Sequence, residues 1–108
     1  MKNLPGNFEF LPEMYADGYF PNFLVDKVKE AISDAVSFIE IGNHSKEEIQ
    51  GAFDAMTTAI NQLQEEFEDN DSEIETGARE SIGETVDRII KFFDIDIDIE
   101  EAIRERDW

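Results

Sequence analysis

Asp69, Asp71, Glu73, Glu75 and Glu80 stand at offsets 1, 3, 5, 7 and 12 of one run, the spacing with which an EF-hand loop offers oxygen ligands to calcium. The glycine that makes the sharp turn of such a loop at offset 6 is missing, and Ile74 stands in its place. Asp94, Asp96, Asp98 and Glu105 repeat the spacing, again with an isoleucine, Ile99, in the glycine slot. Both runs therefore read as solvated acidic segments, and no metal or other cofactor is expected.

Other chemistries find fewer residues still. Di-iron bundles draw on Glu and at least two histidines from facing helices, whereas this chain has one histidine, His44, between Asn43 and Ser45 before a helix start. With no cysteine there is no thiolate nucleophile, disulfide or Cys-ligated zinc. Ser33, Ser37, Ser45, Ser72 and Ser81 sit at helix-surface or capping positions, and a lone His44 has no company for a triad. Gly77 and Gly83 fall inside a helical pattern without the lysine that a phosphate-binding loop carries. No catalytic residue is assigned.

Composition narrows the partners. The 108 residues include 27 acidic and 9 basic side chains, a net charge of -18, yet 41% are hydrophobic and nine are Phe, enough to form a core. Such a surface repels phosphate backbones and anionic lipid, so nucleic acid and membrane are not expected partners. No apolar run has the length of a signal peptide or membrane span, which points to a cytoplasmic location. The charge is uneven: residues 1–54 hold 4 basic and 10 acidic side chains, residues 55–108 hold 5 and 17. A partner chosen by charge meets the second half.

The elements that position these residues are helical. Leu24, Val25, Val28, Ala31, Ile32, Ala35, Val36, Phe38 and Ile39 recur at helical spacing over a wide arc, predicting a central helix over 21–41 that touches neighbours on two sides, with Pro21 in its first turn and the Gly42-Asn43 pair at its end. Ser45 and Glu48 form a capping box opening a helix over 45–69, whose stripe Ile49, Phe53, Met56, Ile60, Leu63 and Phe67 steps by 4, 3, 4, 3, 4. A turn at Asp69 to Ser72 leads to a third helix over 72–93, with Ser72 and Glu75 as a second capping box and Ile74 as its first core residue. Gly77 and Gly83 within it are expected to mark close helix packing. Asp94 to Ile99 alternates with period two, but a lone strand has no partner, and Asp98 with Glu101 caps a short helix over 98–106 instead.

Residues 1–20 form an aromatic-rich N-terminal arm, broken into turns by Pro5, Gly6, Pro12 and Gly18 and holding one helical turn near Leu11 to Tyr15. Phe8, Phe10, Tyr15, Tyr19, Phe20 and Phe23 are expected to pack across one end of the bundle, where Tyr15, Tyr19 and Phe20 either seal it or leave an amphipathic patch. Trp108 likewise is either an anchor docked on the core or a free tail. The fold class is all-α: a small helical bundle of three main helices, a short C-terminal helix and the arm, in one domain spanning 1–108.

Three segments resemble a bacterial family known only as a domain of unknown function. They are Met14-Tyr15-Ala16-Asp17-Gly18-Tyr19-Phe20-Pro21 running on through Phe23 to Lys29, then Phe67 to Thr76 with Ala78-Arg79-Glu80, and the terminal Arg106-Asp107-Trp108. The resemblance implies a helical fold and carries no reaction, ligand or partner, hence no functional residues. Residues 1–13 and Gly77 fall outside the matching pattern.

Three functional readings follow. The first is a non-enzymatic interaction or regulatory protein with an acidic face. The second is an immunity-like or nucleic-acid-mimicking binder of a basic protein, using Glu65, Glu66, Glu68, Asp69, Asp71, Glu73 and Glu75. The third is a carboxylate-based enzyme or small-ligand protein with Tyr15 or Tyr19 at its pocket. A monomer and a homodimer fit the stripes equally.

Overall fold

A computed structural model describes residues 2–108, and Met1, the first residue of the expected arm, lies outside them. The described residues form five helices and no strand: α1 (Pro12–Ala16), α2 (Asn22–Ile41), α3 (Lys46–Asp69), α4 (Thr76–Phe92) and α5 (Ile99–Ala102). The fold is a small all-α bundle. The alternating run after Phe93 forms a turn and a bend, with Ile97 buried, and no strand pairs there.

Local chemistry sets the ends of the α2–α3 hairpin. α2 begins at Asn22 with Pro21 as its N-cap, one residue later than expected, and stops where Gly42 and Asn43 take positive φ of 86° and 61°. Ser45 then starts α3 through the full capping box: its hydroxyl accepts from the Glu48 N–H at 3.1 Å, and its own N–H donates to Glu48 Oε1 at 2.7 Å. Residues 42–45 thus fold α3 back along α2, and Lys27 near the start of α2 pairs with Glu66 near the end of α3. The stripe on α3 buries Phe53, Met56, Ile60 and Phe67 against Val28, Ile32 and Val36 and the rest of one continuous core.

α3 ends in a Schellman motif. The Ser72 N–H reaches the Phe67 carbonyl at 2.9 Å, the Asp71 N–H reaches Glu68 at 3.1 Å, and Asp71 takes the left-handed position with φ 57°. α4 ends the same way, with Ile95 bonded to Ile90, Asp94 bonded to Lys91, and φ 54° at Asp94. An aspartate fills the place that glycine usually takes at both ends. Two members of the EF-hand-like spacings are therefore helix terminators.

The third main helix starts later than the sequence suggests, at Thr76 and not Ser72. The Ser72 hydroxyl is spent elsewhere: it is buried and donates to the Tyr19 carbonyl at 3.1 Å. Glu75 is the N-cap instead, its carboxylate accepting from the Ala78 N–H at 3.2 Å, while Ile74 is buried in the irregular chain before the helix. The close-packing account of the glycines also fails. A Cβ at Gly77 would come 2.9 Å from the Glu75 capping oxygen, so glycine there makes room for the cap, and a Cβ at Gly83 would meet nothing within 4 Å. Nothing in the structure requires glycine at 83.

The arm is pinned to α4 by polar contacts that no hydrophobic pattern reveals. Leu11, fully buried with φ 52°, donates its N–H to the buried Thr85 hydroxyl at 3.1 Å, and Ser81 donates to Glu13 at 2.9 Å. The last helix is shorter than 98–106: Asp98 caps it as expected through the Glu101 N–H at 2.9 Å, but it ends at Ala102 and turns. Trp108 is docked, 8% exposed, within the core.

Candidate functional site

The Ser72 to Tyr19 hydrogen bond is what brings two distant candidate segments together, tying the arm to the turn that follows α3. Tyr19 is 46% exposed at this end of the bundle, with its N–H held by Asp17 Oδ1 at 3.0 Å. Phe20 beside it turns inward, 3% exposed, and meets the Tyr19 ring edge-on at 5.1 Å. Phe20 is thus a core residue that props the exposed Tyr19. Phe23, expected to pack across the end of the bundle with the other aromatics, is instead 49% exposed and carries the Lys27 ammonium over its ring.

Glu65, Glu66, Glu68 and Asp69 occupy the last turns of α3, and Asp71 and Glu73 continue the exposed charge along the turn. Glu66 is the one member of this group with a cation within ion-pair distance, Lys27, among the described residues. Glu75 stands apart, committed to capping α4. Tyr15 is also apart: it is half-buried and donates its phenol to Asp26 on α2 at 2.6 Å. Burial, then the Asp26 bond and charge, push its pKa up to about 12. It is a strut between α1 and α2.

The acidic cluster breaks a local rule of helix stability. The carbonyl end of a helix carries partial negative charge and favours cations, yet the last turn of α3 has no basic residue and several carboxylates. Each such carboxylate opposes the helix dipole by about 0.3–1 kcal/mol at low ionic strength. Asn70 offers the end a neutral donor, its side chain reaching the Glu66 carbonyl at 2.9 Å. Nothing inside the described protein offsets the remaining repulsion.

The remaining titratable groups are structural. Arg104 grips Asp54 through two bonds of 3.1 and 2.8 Å, holding that carboxyl below the usual carboxylate range with help from Gln50, and ties the chain after α5 to α3. The Ser45 N–H likewise lowers Glu48. His44 stacks on Phe38 at 3.7 Å and bonds its carbonyl through Nε2 at 2.8 Å, closing the α2–α3 loop. Among the described residues no three His, Asp or Glu side chains converge as a metal ion would need, because the 69–80 run is divided between a helix end, a turn and a cap.

No helix among the described residues is long and apolar enough to cross a membrane. Fold and surface together define a small acidic helical bundle with an aromatic and carboxylate end. Residues 5–108 match a family of unknown function, DUF5713, and the chain belongs to that family. No curated protein and no solved structure matches it.

Proposed function

We propose that this chain is a non-enzymatic interaction or regulatory protein whose acidic end, built from Tyr19, Phe23, Glu65, Glu68, Asp69, Asp71 and Glu73, receives a basic surface of another protein. The observation that carries this reading is the run of carboxylates at the negative end of α3, without ion-pair partners among the described residues, beside two half-exposed aromatic rings. Arg and Lys side chains gain there twice, from the carboxylates and from the ring faces. An immunity-like or nucleic-acid-mimicking binder is the form this takes when the partner's basic surface is itself a nucleic-acid site. Affinity capture from the native host tests it. A stoichiometric basic partner retained at low salt, released at high salt and lost from a variant with the five carboxylates turned to amides is expected; recovery of the same proteins by both forms contradicts it.

A small-ligand role has one observation in its favour, a polar cleft of about 340 Å³ lined by Lys46, Glu47, Gln50, Asp54, Glu101 and Arg104. Within it Arg104 and Asp54 are already joined to each other, and Gln50 donates to the same carboxylate. A thermal-shift screen with small zwitterions and anions tests this reading, and stabilisation abolished by Lys46→Ala would favour it.

A further inference from the structure

A shallow apolar groove of about 450 Å³ runs along the seam of α2 and α3, floored by Ala31, Ala35 and Phe38 from one helix and Ala52, Ala55 and Ala59 from the other. Its only charged lining residues are the carboxylates Asp34 and Glu48. Gly51 lowers the floor further, and a Cβ there would meet nothing within 4 Å, so internal packing does not account for the missing side chain. Along α2, Phe23, Asp34 and Ile41 fall on one edge by helical periodicity. Phe23 and Ile41, 49% and 64% exposed, are two of the three large apolar side chains left in solvent among the described residues. The edge they mark extends for about 27 Å, the length of a helix of some five turns.

We infer that this groove seats one amphipathic helix of a partner protein, with a narrow face of small and medium apolar residues and Lys or Arg along its flanks. The floor fixes the occupant's shape, because alanines and a glycine let a third helix lie close in the seam as ordinary ridge-and-groove packing requires. Charge fixes its chemistry. The groove carries the carboxylates Asp34 and Glu48 at its rim and no basic residue in its lining. A second copy of this chain, with net charge -18, would set acidic rim against acidic rim across a two-fold axis, and like charges in contact oppose association. The inference rests on the proposed binding role and adds to it the seat and the shape of the partner.

A displayed library of helical peptides tests it, each about 20 residues long, with Ala or Leu on one face and Lys or Glu drawn at random on the flanks. Selection on the wild-type chain should enrich Lys flanks, and the selected peptides should lose affinity by about tenfold or more on a Gly51→Gln/Ala55→Gln variant. Both positions are exposed, so the two glutamines fill the groove and leave the core alone; an unchanged thermal midpoint checks this. Amide exchange should slow on binding across residues 31–38 and 52–59. Full binding to the filled groove with loss on a Glu65→Gln/Glu68→Gln/Asp69→Asn variant would overturn the groove and leave the acidic-end reading standing. Enrichment of Glu flanks, or no enrichment, would overturn the inference, as would a doubled molar mass that Ala55→Gln abolishes, since the occupant would then be a second copy.

Discussion

Replacing Glu68 and Asp69 by Gln and Asn should strengthen the fold while weakening partner binding. Both carboxylates lie in the last turn of α3, exposed, with no cation among the described residues within ion-pair distance, so each opposes the helix dipole. Exposure and solvent screening place the gain at the lower end of the range, about 0.5–1 kcal/mol for the pair at low salt. For a chain of this size that raises the thermal midpoint by roughly 2–6 °C. The neutral isosteres leave the Schellman bonds from Ser72 and Asp71 untouched, because those use backbone carbonyls. The same two charges, at an exposed rim, are worth about 0.2–1 kcal/mol each to a basic partner, a loss of about 2- to 30-fold in affinity, carried mainly by a slower association rate. Calorimetric melting at low and high salt reads the first effect, which should shrink as salt screens the dipole. Stopped-flow association with the captured partner reads the second. A variant that melts lower than wild type at low salt, or that binds as fast, would refute the reasoning.

Gly83→Ala should raise stability by about 0.5–1 kcal/mol, since the new methyl meets nothing and the helix propensity improves; Gly77→Ala should gain less or lose, because its methyl crowds the Glu75 cap, and urea titration of the two variants separates them. Thr85→Val should cost about 1–3 kcal/mol in the same assay, leaving the buried Leu11 N–H without an acceptor at nearly constant volume. In a Tyr19→Phe background the phenolate absorbance of Tyr15 should titrate near pH 12. The raised value means that the folded state favours the neutral phenol, so the stability that Tyr15 contributes is present below pH 10 and is lost as pH rises from 10 toward 12. Asp26→Asn should bring that midpoint down.

Helix period and capping chemistry made α2 and α3 legible, because both act over four residues or fewer: the stripe from Ile49 to Phe67 and the Ser45–Glu48 box appear in the structure as the residue types require. What misled was local chemistry diverted to a distant partner. Ser72 and Glu75 satisfy the pattern of a capping box, but the Ser72 hydroxyl goes to Tyr19, 53 positions away, and the helix waits for Glu75. Gly77 and Gly83 look alike in sequence and differ in space, one making way for a carboxylate and the other facing open solvent. Asp71 lies in the turn expected from Asp69 to Ser72, and a C-terminal signal read for aspartate as well as glycine would have found its left-handed position and that of Asp94. At the candidate site the charges were visible and the juxtaposition was not. Tyr19 and Phe23, expected to pack with their aromatic neighbours, are half-exposed while Phe20 between them is core, and the α2–α3 groove left no mark beyond a few alanines.

Backbone amide chemical shifts of the isotope-labelled chain, followed as the captured partner is added, examine the binding surface residue by residue. The account expects the largest shifts at Tyr19, Phe23 and residues 65–73, fading with added salt, with little change along the outer face of α4 around Glu84 and Arg88. Shifts centred on that face, or on the polar cleft around Lys46 and Arg104, would contradict it.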